Sequence, residues 1–155
     1  MKKFDLRRHW TLALLTFLVA LTVLFIWSNS CLSRETSGAQ SGRITALLLR
    51  ILDPKGKLDA DAFHHFVRKT AHFAEFALLG AWIGGLFQMI RLQSKKTFYT
   101  LPVLCVLLVA VLDEYIQFFT GRGSAVTDVM LDFAGGLTGL AIVVIFLLLR
   151  RKIKK

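Results

Sequence analysis

Apolar residues in this chain come in four long runs, and the polar residues between them set the plan of elements. The first run, Trp10 to Trp27, holds no charge and has a tryptophan at each end, the pattern of a helix anchored at both membrane interfaces. Two further runs are short. Phe76 to Ile90 and Phe98 to Leu112 hold 15 uncharged residues each, about 22 Å of helix at ~1.5 Å per residue. A bilayer core is about 30 Å thick and takes about 20 residues to cross. The second span must therefore reach back through Glu75 and His72, and the third must reach forward through Asp113 and Glu114 to about Thr120. The fourth run, Phe133 to Leu149, has its natural start near Val126 and so takes in Asp128 and Asp132. The predicted spans are 10–27, 66–90, 98–120 and 126–149. Between the first two lies a polar stretch that ends in ITALLLRIL. Its apolar residues at 44, 47, 48, 51 and 52 share one helical face, and Asp53-Pro54-Lys55-Gly56 stops it with turn residues. A short amphipathic helix lying at the membrane interface is expected there. The fold class that follows is all-α: an integral membrane bundle of four transmembrane helices, with an interfacial amphipathic helix in the long outer loop. One domain covers residues 1–155.

Composition agrees with that plan and excludes its rivals. The 155 residues are 55% hydrophobic, yet 20 Lys and Arg face 10 Asp and Glu for a net charge of +10. Disordered basic chains combine high charge with low hydrophobicity, so this chain is not one of them, and no nucleic-acid partner is expected. The positive charges mark topology instead. Lys2, Lys3, Arg7 and Arg8, then Arg91, Lys95 and Lys96, then Arg150, Arg151, Lys152, Lys154 and Lys155 fall on one side. The positive-inside rule puts both termini in the cytoplasm. The first run is longer than the ~7–15 residues of a signal-peptide core, so it is expected to be kept as a helix. Cys31 and Cys105 are too far apart in setting to read as a disulfide framework or a zinc site.

Charge changes the picture most where it is negative. Five of the ten acids lie in or beside the spans: Glu75, Asp113, Glu114, Asp128 and Asp132. With the N-terminus inside, Glu75 falls near the outer end of the second span. Asp113 lies about seven residues before the end of the third, and Asp132 about seven after the start of the fourth, each about 10 Å deep. Helical spacing groups them further: His72 with Glu75, Asp113 and Glu114 with Gln117, and Asp128 with Asp132. Arg122 sits in the turn above them, and Arg68 or Lys69 can reach in from the top of the second span. A charged carboxylate at the middle of a span costs about 2.5–3.5 kcal/mol on insertion scales. Several together need partners, protons or a bound cation.

Three roles fit these residue types. His72 and Glu75 can act as an acid/base pair, and with Asp113, Glu114, Gln117 and Asp128 they make up the candidate catalytic set. Glu75, Asp113, Glu114, Asp128 and Asp132 can hold a divalent cation, since carboxylates suit Mg²⁺, Ca²⁺ or Mn²⁺. Lys69 and Arg122 can meet a phosphate or lipid head group. No nucleophile motif accompanies them, so the residues leave open whether the pocket catalyses or only binds. The competing reading is an ion-paired network that merely packs helices. Two GxxxG patterns, Gly80–Gly84 and Gly135–Gly139, point to close helix contact within the monomer.

Three segments carry a family resemblance. Arg68-Lys-Thr-Ala-His72-Phe-Ala-Glu75-Phe76, Asp113-Glu114-Tyr-Ile-Gln117-Phe-Phe-Thr-Gly121-Arg122 and Asp128-Val-Met-Leu-Asp132-Phe-Ala-Gly135-Gly136-Leu-Thr-Gly139 resemble the VanZ-like family. The sequence departs from the family pattern at Phe76, where tyrosine is frequent, and at Asp132, where asparagine is common. The resemblance implies a small multi-pass protein of the bacterial cytoplasmic membrane and a link to teicoplanin resistance, without a settled reaction. The expected partners are membrane lipids or a lipid-linked cell-wall intermediate, held or acted on in an outward-facing polar pocket. The alternatives are a non-enzymatic envelope factor that alters glycopeptide access and, less in keeping with polar groups confined to one leaflet, a transporter.

Overall fold

The structure is a computed structural model that describes residues 6–94 and 100–153, with residues 34, 93 and 94 described by their backbone only. Lys2, Lys3, Lys95, Lys96, Lys154 and Lys155, which contribute to the predicted orientation, lie outside the described residues, as do the first two residues of the predicted third span.

Five helices follow one another: α1 (Leu6–Ser30), α2 (Arg34–Leu52), α3 (Ala60–Ser94), α4 (Thr100–Phe119) and α5 (Val126–Ile153). No strand occurs among the described residues. All but α2 are long and apolar enough to cross a membrane, which gives the four-helix membrane bundle that the hydrophobic runs predict. The helices run longer than the apolar runs because polar flanking residues continue them. At 35 residues, α3 is about 52 Å long at ~1.5 Å per residue, well beyond a bilayer core of about 30 Å. Its first turns therefore serve another contact: Ser41 of α2 hydrogen-bonds His64 Nε2 at 2.6 Å.

The amphipathic helix of the long loop also begins earlier than predicted, at Arg34 rather than near Ile44. Ser33 caps it, with its hydroxyl accepting the Thr36 N–H at 3.3 Å, and Glu35 in the first turn suits the positive end of the helix dipole. Apolar counting missed this half because capping, not hydrophobicity, starts it. Ile44, Leu47, Ile51 and Leu52 stay exposed while Thr45 is buried. The apolar face is thus turned away from the bundle, as an interfacial helix requires.

The core is small: Ile26, Phe76, Leu79, Ile83, Val106 and Ala110. Most large apolar side chains on α1, α4 and α5 point outward, among them Phe17, Leu24, Leu104, Leu108, Ile142 and Phe146. Lipid tails solvate such surfaces, so apolar burial does little to join helices in a membrane, and close backbone approach does more. The α3–α5 pair shows it. These two helices run parallel. A Cβ on Gly135 would collide with the Phe73 carbonyl, one on Gly139 with the Ala77 carbonyl, and one on Gly80 with the Gly136 carbonyl. The GxxxG residues of both helices therefore pack within the chain.

Gly139→Ala should lower stability by about 1–3 kcal/mol, because the new methyl group meets backbone atoms that cannot move aside. Gly42→Ala, in open space on α2, should instead stabilise by up to about 1 kcal/mol. Unfolding of the two purified variants in detergent checks both.

Candidate functional site

Close α3–α5 packing brings the polar residues of three helices to one end of the bundle, the end opposite both termini. His72 lies one residue before the Phe73 contact and Asp132 three before Gly135, so the backbone approach sets them against each other. His72 Nδ1 stands 3.9 Å from Asp132 Oδ1. One turn higher, Lys69 Nζ pairs with Asp128 Oδ1 at 2.5 Å, and Asp128 occupies the first turn of α5, where a negative charge suits the helix dipole. From α4 come Asp113, Glu114 and Gln117, all buried. Gln117 Nε2 donates to Asp113 Oδ2 at 2.7 Å across one helical turn. Glu114 turns the other way, and its Oε2 accepts the Ala125 N–H at 3.1 Å at the entry to α5.

Arg122 reaches this cluster because of the turn that carries it. Gly121 and Gly123 have φ of +70° and +80°, a backbone region that favours glycine. The Arg122 N–H returns to the Gln117 carbonyl and the Gly121 N–H to the Phe118 carbonyl, a glycine-terminated helix end. Chain reversal then aims the Arg122 side chain back at α1, where Nη1 donates to the Asn29 carbonyl at 2.7 Å. The Thr120 hydroxyl donates to the Ser30 carbonyl at 3.0 Å. Burial, and next the nearby Arg68, pull the Arg122 pKa below the usual arginine range, while Asp113, Glu114 and Glu75 act in the opposite direction. Arginine remains a cation regardless.

The predicted residues thus come together: Gln117 pairs with Asp113 as helical spacing predicts, while other expected partners differ. Lys69 and Arg122, both expected to face a phosphate, are engaged with Asp128 and Asn29. Asp128 and Glu114, both expected on a cation, are held by Lys69 and Ala125. His72 meets Asp132 and makes no hydrogen bond to Glu75. Helical spacing put His72 and Glu75 on one face, but neighbouring helices take them in different directions: Glu75 lies among Asn29, Asp113 and Arg122. Arg68, which the sequence offered only as an alternative to Lys69, is also at the site. It lines a cavity of about 20 Å³ with Lys69, His72, Glu114, Gln117, Asp128, Leu131 and Asp132. The Arg68 side chain makes no hydrogen bond or ion pair among the described residues. Its neighbour Lys69 masked it in the sequence, since either could reach inward.

Deeper in, several buried polar atoms have no hydrogen-bond partner: His72 Nδ1, Glu75 Oε2, Asp113 Oδ1, Asp132 Oδ2 and Ser30 Oγ. Buried polar atoms are nearly always paired. One ligand atom each from His72, Asp113 and Asp132 lies within 4.8 Å of the others, so these three could hold a metal ion. Phe76, a departure from the family pattern, is fully buried in the apolar core below the acids.

Fold and site together define a multi-pass helical membrane protein with a polar cluster at one end of its bundle. The family model described as VanZ/LLP1 matches residues 11–148, nearly the whole chain. The chain belongs to that family. No curated protein matches it, and no solved structure does.

Arg122→Gln should cost about 1.5–3 kcal/mol, the range for a hydrogen bond to a charged group. The loss should appear as a lower unfolding temperature in detergent, and as easier proteolysis near Ser30, where Arg122 ties the turn to α1.

Proposed function

We propose that this chain binds the phosphate-bearing head of an envelope lipid or lipid-linked glycan at the polar end of its bundle, and that this end faces outward from the bacterial cytoplasmic membrane. The observation that carries the reading is Arg68, a guanidinium without a hydrogen-bond or ion-pair partner among the described residues, on the wall of the cavity beside Lys69. A free guanidinium at a membrane interface suits a phosphate, which it can meet with two parallel hydrogen bonds. Room for a water needs about 10–15 Å³ on this measure. A cavity of about 20 Å³ therefore holds one water or ion, and the head group would rest on the rim.

Binding is favoured over turnover by one feature of the site. His72 and Glu75, the natural acid/base pair, are drawn apart toward Asp132 and Asn29. A protein that holds a lipid carrier of cell-wall precursors would change how glycopeptides reach their target. The resemblance to a family linked to teicoplanin resistance supports that setting.

Orientation has a simple test. Cys31 is exposed at the polar end, next to the buried Ser30, and Cys105 is only partly exposed within α4. In intact spheroplasts a membrane-impermeant maleimide should label Cys31; labelling only after lysis would reverse the orientation. Ligand class is read by native mass spectrometry of the protein extracted in mild detergent. A phosphate-bearing lipid should be retained by the unmodified chain and at least about tenfold less by Arg68→Ala, a loss of about 1.4 kcal/mol. Equal retention by both, or no phosphate-bearing lipid on either, defeats the reading.

A further inference from the structure

We infer that His72, Asp113 and Asp132 form a binding site for one divalent transition-metal ion. Each residue comes from a different helix: α3, α4 and α5. One ligand atom from each lies within 4.8 Å of the other two. A cation with bonds of about 2.1 Å holds its ligands about 3–4.2 Å apart, so a small inward movement closes the site.

The site is also unsatisfied as it stands. Asp113 and Asp132 are 0% and 1% exposed, yet Oδ1 of the first and Oδ2 of the second have no hydrogen-bond partner, and neither has His72 Nδ1. Each of the three residues thus has a buried polar atom without a partner, which a metal would complete. The neighbouring groups are arranged as support. Gln117 holds Asp113 by its other oxygen, which fixes the carboxylate, the usual work of an outer partner in a metal site.

Charge selects a divalent ion. Lys69 and Asp128 neutralise each other. Of the remaining groups, Glu75, Asp113 and Glu114 surround the guanidinium of Arg122, with Arg68 beside it, and Asp132 lies near the same three acids. Ionised, that set carries an excess of two negative charges. Donor type selects the metal: an imidazole with two carboxylates suits Mn²⁺ or Zn²⁺ better than the oxygen-seeking Ca²⁺ and Mg²⁺. Three protein ligands leave coordination positions open, and the adjoining cavity of about 20 Å³, lined by His72 and Asp132, has room for a water or one oxygen of a ligand. This inference stands apart from lipid binding, since the metal alone is the probe.

The full chain is purified in detergent, stripped with chelator and titrated with Mn²⁺ followed by electron paramagnetic resonance, with Zn²⁺ as competitor. One Mn²⁺ per chain is expected, displaced by Zn²⁺, with nitrogen coupling in the spin-echo modulation from His72. Asp132→Asn and Asp113→Asn should each weaken binding at least tenfold, while Asp61→Asn, exposed in the first turn of α3 and away from the cluster, binds as before. Absence of a one-to-one site in the unmodified chain, or a site without nitrogen coupling, overturns the inference. So does unchanged binding by both triad variants. The stoichiometry and nitrogen signal come from the unmodified chain, so a variant that fails to fold leaves the test intact. A negative result leaves lipid retention through Arg68 untouched.

Discussion

Contact between the backbones of α3 and α5 governs the rest of this molecule. Gly135 and Gly139 lie against the carbonyls of Phe73 and Ala77, and Gly80 lies against Gly136. In water, an apolar stripe would suffice to join two helices. In lipid that force is nearly absent, and dispersion contacts at short range must take its place. Glycine is the residue that permits the approach. Once the two helices touch at these points, their rotation about their own axes is fixed. His72 and Asp132 then face each other one turn above, and Lys69 and Asp128 one turn above that.

That geometry creates an electrostatic demand which the remaining elements answer in part. α4 contributes two acids, with Gln117 and the Ala125 N–H each satisfying one oxygen. The glycine-flanked turn after α4 returns Arg122 toward the acids and ties α1 into the same cluster through Asn29 and Ser30. Four helices are thereby held at one end by polar bonds, while the other end relies on apolar contacts such as Gly85 with Leu15. Stability and candidate chemistry share the same residues. A substitution at Arg122 or Asp113 would disturb both, which is why variants at the rim, such as Arg68, separate the two effects more cleanly.

Much of the plan was legible in the chain. Two uncharged runs too short to cross a bilayer forced the spans to include Glu75, Asp113 and Glu114, and the natural start of the fourth near Val126 took in Asp132. The alternation of span direction gathered those acids at one end. The reach of α2 back to Arg34 was not legible by apolar counting, because a Ser33 cap starts it. Nor was the pairing within the cluster. Helical spacing says which residues share a face of one helix, and on that ground His72 goes with Glu75. Which residue on the next helix each one meets depends on helix rotation, and that is set by contacts several residues away.

The sequence by itself determined the all-α class, the four spans, and the residue types that would meet at one end, because bilayer thickness and helical rise leave few ways to place such runs. Only the tertiary structure decided the partners: Lys69 with Asp128, Glu114 with Ala125, Arg122 with Asn29, and His72, Asp113 and Asp132 left facing one another. Depth along a helix follows from counting residues. Direction across the bundle follows from packing, and here the packing is fixed by glycines whose effect depends on what stands opposite them.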